Sequence, residues 1–158
     1  MILAAYRTPA AFAARQAAAG ISEGRLLLWA LIAGVAGFLA GVPSALDTAS
    51  ELQIEDAVAG VLAGRLFGAV FMLPLLLYVL AGLVTLLWRL LVQPVPSQRV
   101  RVALFGALLL AAPALVALSW IGSRLPAAAD VFLGAVTFMF FLWLAVARLR
   151  GVTRPLVG

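Results

Sequence analysis

LFGAVFMLPLLLYVLAGLVTLLW, residues 66–88, is a run of 23 residues without a charge, bracketed by Arg65 and Arg89. A spanning helix needs about 20 apolar residues, so this stretch can cross a bilayer with some tilt. Three other runs read the same way. Leu26 to Val42 is apolar throughout and extends through Pro43 to Leu46. Val102 to Ile121 lies between Arg101 and the Ser123-Arg124 pair, and Val131 to Ala147 lengthens back to Pro126 if Asp130 snorkels to the surface. The chain thus reads as an all-α integral membrane protein with four transmembrane helices, over about residues 26–46, 66–88, 102–121 and 126–147. Residues 1–25 form an N-terminal segment on the cytoplasmic interface, and 148–158 a basic cytoplasmic tail.

Composition supports this. Of 158 residues 66% are hydrophobic and 11% charged, with mean hydropathy +1.18, whereas a soluble domain is nearer about half apolar and a quarter charged. So few charges cannot screen that much apolar surface from water, and the excess must meet lipid. The net charge of +5 comes from eleven basic residues, all Arg, at the edges of the apolar runs. That placement sets topology and is not a nucleic-acid patch. With neither Cys nor His, disulfides, thiol nucleophiles, haem thioethers and imidazole bases or ligands are excluded. No catalytic residue, cofactor or metal site is expected: Ser119 and Ser123 lack a His or a buried carboxylate partner, and Asp47, Glu51, Glu55 and Asp56 read as a solvated face. The all-Arg, Ala- and Leu-rich usage fits a bacterium with GC-rich DNA, and hence a bacterial inner membrane.

Arginine counts orient the spans. Arg7, Arg15, Arg25, Arg89, Arg99, Arg101, Arg148, Arg150 and Arg154 fall on one side, and Arg65 and Arg124 on the other. The positive-inside rule then puts both termini in the cytoplasm. Trp29, Trp88, Trp120 and Trp143 all fall near span ends, where an indole prefers the interface. A secretory signal is the competing reading of the first span, but its apolar core exceeds the usual 7 to 15 residues or so, and Pro43-Ser44-Ala45 is a poor cleavage sequence.

Two helices are expected outside the spans. Thr8-Pro9 supplies a start and Gly20 a stop for a short interfacial helix over Ala10 to Ala19. Thr48-Ala49-Ser50-Glu51 is a capping box that opens a short external amphipathic helix, with Ile54, Val58, Val61 and Leu62 on its apolar face. It can run on into the second span. Pro94-Val95-Pro96-Ser97 breaks the chain between spans two and three.

Within the spans, Gly60, Gly64 and Gly68 form two overlapping G-x-x-x-G steps, and Gly37 and Gly41 another. Small residues at this spacing let helices approach closely, either across a dimer or within one chain, and packing within the chain is the expected use. Pro74 and Pro113 should kink spans two and three. Tyr78, Thr85, Ser119 and Thr137 are the strongest polar groups inside the spans, and Asp130 with Arg124 is a candidate ion pair.

The stretch Arg99-Val100-Arg101-Val102-Ala103-Leu104-Phe105-Gly106-Ala107-Leu108-Leu109-Leu110-Ala111-Ala112-Pro113, with Ser22-Glu23-Gly24-Arg25 and Gly41-Val42-Pro43 upstream, resembles the small bacterial members of the Yip (Ypt-interacting protein) family. The similarity extends to Arg7-Thr8-Pro9-Ala10 with Ala13-Ala14-Arg15, and to Phe71-Met72-Leu73-Pro74-Leu75 with Tyr78. It implies a polytopic helical membrane protein whose eukaryotic relatives bind small GTPases, and it assigns no site residue here.

Two functional readings follow. In the first the chain is a non-enzymatic scaffold or accessory subunit of a membrane assembly, with the lipid bilayer and itself or another membrane protein as partners. In the second it forms a small oligomeric permease or pore. The orientation is testable because the chain has no Cys: single cysteines placed in residues 93–98 should react with an impermeant label only from the cytoplasmic side, and those in 47–56 only from outside. Labelling of the Pro94 loop from outside would reverse the topology.

Overall fold

The computed structural model describes residues 2–52, 57–91 and 94–153, with the backbone alone for residues 2–4. Every element among them is helical. α1 spans Ile2–Arg7, α2 Pro9–Ala18, α3 Glu23–Leu52 and α4 Ala57–Phe67; a π-helical turn, Gly68–Met72, leads into α5, Leu73–Leu91; α6 spans Ser97–Gly122 and α7 Ala127–Thr153. Counting α4, the π-turn and α5 as one, four helices are long and apolar enough to cross a membrane: Glu23–Leu52, Ala57–Leu91, Ser97–Gly122 and Ala127–Thr153.

α6 is the centre of the bundle, packed against α2, α3, α5 and α7. Its residues Val102, Ala103, Leu104, Phe105, Gly106 and Ala107 are all buried. Six consecutive buried positions cover more than one full turn, so this part of α6 is enclosed on every side, as a uniformly apolar helix must be when it lies inside. The outer helices keep large apolar side chains exposed, among them Leu75, Leu76, Val79, Leu90, Phe132 and Met139.

α3 and the α4–α5 helix run antiparallel. The main chain of Ala69 lies directly over Gly34, the Arg65 guanidinium donates to the Gly41 carbonyl, and Tyr78 reaches Glu23. These three pairs set one register, in which residues after Tyr78 lie beyond the first residue of α3. α5 there turns Ala81 and Thr85 inward, and its apolar run is not level with that of α3.

Three expectations change. The capping box does not start a helix: α3 continues unbroken through it, and the Thr48 hydroxyl donates to the Ser44 carbonyl one turn back (2.8 Å) instead of capping forward. The cause is that Pro43, which removes one ladder bond, sits where a neighbouring helix satisfies the carbonyl it leaves, so the helix has no reason to end there. The external helix is thus the C-terminal end of α3 and the start of α4, while Ile54, Glu55 and Asp56 lie outside the described residues. The N-terminal helix, with Pro9 at its first position, buries one face on the bundle, a contact the sequence did not indicate. α2 packs on α7 and α6, and Ala13 is fully buried. Gly20, at φ +64°, ends this segment in the left-handed region that glycine enters without cost. Lastly, the expected tail is helical as far as Thr153, and Arg148 is inside the bundle; residues 154–158 lie outside the description.

Close backbone approach falls at Gly34 and Gly151. A Cβ at Gly34 would overlap the Ala69 carbonyl, and one at Gly151 the main chain of Ala10. Gly34→Ala and Gly151→Ala should each cost about 1–3 kcal/mol, since backbone rather than a mobile side chain has to move. Gly64→Ala, which meets nothing within 4 Å, should leave the melting midpoint of the monomer in detergent unchanged.

Candidate functional site

Polar side chains of the bundle gather at three places. The first surrounds Arg148, near the C-terminal end of α7, whose relative exposure is 0%. Its Nε donates to the Ala103 carbonyl (3.0 Å), and Nη2 donates to both the Val102 carbonyl (3.1 Å) and Gln16 Oε1 (2.6 Å). Helical carbonyls have a second lone pair, so Val102 and Ala103 can accept without giving up the α6 ladder. Gly106 makes this possible, because a Cβ there would overlap the guanidinium. The Phe12 ring lies beneath, 6.0 Å from Cζ. Nη1 is buried with no hydrogen-bond partner among the described residues. Arg148 also contributes to the lining of a cavity of about 190 Å³, walled by Phe12, Trp29, Leu109 and Leu110, with Gln16 its other polar member.

The second place is the opposite end of α3. Pro43 has no N–H for the Leu39 carbonyl, and Trp120 Nε1 donates to that oxygen instead (2.9 Å). The next two carbonyls also receive side chains: Ser119 Oγ donates to Ala40 (2.6 Å), and Arg65 Nη1 donates to Gly41 (2.8 Å) and to Ser44 Oγ (2.8 Å). Three successive carbonyls at a proline break are therefore met from α6 and α4. A shallow cavity of about 240 Å³ adjoins them, with Asp47 and Arg124 at its edge.

The third is an ion pair, Arg101 Nη2 to Glu23 Oε1 at 2.8 Å, with the Tyr78 hydroxyl 3.5 Å from Glu23 Oε2 and the Arg101 Cζ 5.8 Å from the Tyr78 ring. Glu23 is half exposed, so the pair positions the start of α3 against α6 more than it stabilises.

The remaining sequence candidates are dispersed. The hydroxyls of Thr85 and Thr137 donate to their own helices, at Ala81 (2.6 Å) and Leu133 (2.9 Å), and Ser119 and Tyr78 belong to opposite ends of the bundle. A cavity of about 310 Å³ is lined by apolar side chains such as Leu73, Leu77, Leu108 and Phe141, with Thr137 its polar member. Asp130 lies against Gly122. Of the glycines, Gly41 meets the Arg65 side chain, whereas Gly37, Gly60, Gly64 and Gly68 have nothing within 4 Å of a built Cβ. Among the described residues, the chain's own helices make no close approach at these four. Pro74 is buried and follows the π-turn, in which the Leu73 N–H bonds to the Gly68 carbonyl five residues back. Pro113 lies inside the continuous α6 and has no N–H for the Leu109 carbonyl; the next carbonyl, Leu110, accepts from the Tyr6 hydroxyl (2.7 Å).

Sequence reasoning missed the Arg148 cluster, although one signal was present: Arg148 follows Trp143-Leu144-Ala145-Val146-Ala147 at helical spacing, with Leu149 and Val152 continuing the apolar stripe around it. Comparison of the chain with protein-family models, with curated proteins and with solved structures gives no match.

The proline break allows a direct test. Trp120→Phe should destabilise by about 0.5–1.5 kcal/mol by orphaning the Leu39 carbonyl. In a Pro43→Ala background the restored N–H of residue 43 takes that carbonyl, so the same change should cost clearly less. A double-mutant cycle read by thermal melting measures the difference, and strict additivity would refute the exchange of donors.

Proposed function

We propose that this chain is a non-enzymatic integral membrane protein of a bacterial inner membrane, with both termini cytoplasmic. It acts through helix contacts, as a scaffold or as an accessory subunit of a larger membrane assembly. The observation that carries this reading is the outward position of Gly60 and Gly64: both are exposed, no described residue lies within 4 Å of a Cβ built at either, and the exposed, mutually stacked Phe67 and Phe71 follow on the same helix. Exposed small residues with large apolar ones beside them let another helix approach closely and pack. Further support comes from the hydroxyls, which are engaged with backbone carbonyls instead of facing a shared path. An aqueous path through hydrocarbon needs polar groups in sequence to replace lost hydration.

Gly64→Leu tests the contact. In mild detergent it should reduce the size of the natively extracted assembly while leaving the melting midpoint of the dissociated monomer within about 2 °C, a shift small for a chain of this length. An unchanged assembly would remove the contact face. Liposomes containing the largest native species should show no solute or ion flux above empty vesicles. Saturable flux abolished by Thr85→Val or Thr137→Val would replace the scaffold with the permease.

A further inference from the structure

A guanidinium has five N–H donors. In Arg148 three are used, by Ala103, Val102 and Gln16, and the two on Nη1 meet no acceptor among the described residues. The charge meets no counter-charge among the described residues either. The ion pair of the described residues, Arg101 with Glu23, lies elsewhere, and what surrounds Arg148 is neutral: two carbonyls, an amide and the Phe12 ring. An enclosed cation with neutral partners is costly, and a counter-ion placed against its free edge recovers much of that cost.

The space beside it has a matching character. The cavity of about 190 Å³ is bounded by Phe12 and Ala5 from the N-terminal helices, Trp29 from α3, and Leu109 and Leu110 from α6. A small hydrated anion would have to lose its water against these apolar walls. An anion joined to a hydrocarbon chain would instead put its head on the guanidinium and its methylenes on the walls, gaining about 0.8 kcal/mol per methylene buried.

We propose that Arg148 and the cavity beneath α1 and α2 form a binding site for an anionic single-chain amphiphile, whose carboxylate or phosphate oxygen accepts from Nη1 once the side chains that seal that nitrogen from the cavity shift aside. Gln16, already fixed by Nη2 through its Oε1, supplies a second donor through Nε2. The inference depends on the membrane reading only for the source of the ligand, and its test, in detergent solution, is separate from the assembly and flux assays.

The full chain in a neutral maltoside detergent would be titrated with dodecanoate, dodecyl phosphate, dodecanol and inorganic phosphate, following the melting midpoint. Dodecanoate, dodecyl phosphate or both should raise it by about 3–6 °C at tenfold excess over Kd, and the stronger of the two identifies the head group, a fatty carboxylate or a lipid phosphate. Dodecanol and inorganic phosphate should do neither. Gln16→Glu places a carboxylate beside Arg148 within the chain: it should melt higher than the parent without ligand and bind either amphiphile at least tenfold more weakly. Leu109→Trp, which fills the cavity without touching the guanidinium, should also abolish the response. A wild-type response that dodecanol matches, that inorganic phosphate alone reproduces, or that survives undiminished in Gln16→Glu would overturn the site, as would no response to either anionic probe.

Discussion

The guanidinium of Arg148 holds three helices at one point. It lies across Gly106 on α6, donates to the Val102 and Ala103 carbonyls and reaches Gln16 on α2. A charged side chain cannot be left among apolar neighbours without donors and acceptors in place, so once α7 turns Arg148 inward, α6 must present carbonyls and α2 must cover the other side. The adjoining contacts follow from that arrangement. Gly151, less than one turn further along α7, receives the main chain of Ala10, Ala13 is fully buried, and the enclosed part of α6 runs from Val102 to Ala107. The N-terminal helices thereby become part of the bundle.

The prolines obey the same requirement that every backbone polar group in an apolar setting find a partner. The surroundings of the three differ. At Pro43 the freed carbonyl is taken by an indole from α6, with Ser119 and Arg65 meeting the two carbonyls that follow. At Pro74 the helix widens into a π-turn before the ring. Near Pro113 the Tyr6 hydroxyl reaches Leu110, which also ties α1 to α6. The hydroxyls of Thr85, Ser119 and Thr137 are likewise directed at backbone, and leucine, valine and phenylalanine are prominent on the outer surface.

Those two features bear on how the molecule works. An apolar exterior with an uncovered glycine stripe suits contact with another helix in a bilayer. Hydroxyls bound to backbone at separate depths do not form a path for solute. The Arg148 cavity differs in kind, because it joins an unsatisfied cation to apolar walls within the described fold, and it is built by the N-terminal helices together with α3, α6 and α7.

Four apolar helices and their approximate limits were legible in the sequence, because run length and charge spacing are one-dimensional properties: Arg65 and Arg89 mark out the second span with no knowledge of its neighbours. Proline positions were legible too. What a proline does to its helix was not, since Pro43 ends nothing only because Trp120, 77 residues away in the chain, supplies the missing donor. For the same reason Thr48-Ala49-Ser50-Glu51 had the form of a helix start and lies within a helix. G-x-x-x-G spacing indicates that helices can approach, but which face meets which partner depends on rotation about each axis, and the close approaches fall at Gly34 and Gly151 while Gly60 and Gly64 look outward. Arg148 is the clearest case. By sequence it is one more arginine after an apolar run; only the tertiary structure, by laying α2 and Gly106 against it, turns a boundary charge into a buried one, because burial depends on what packs from elsewhere in the chain.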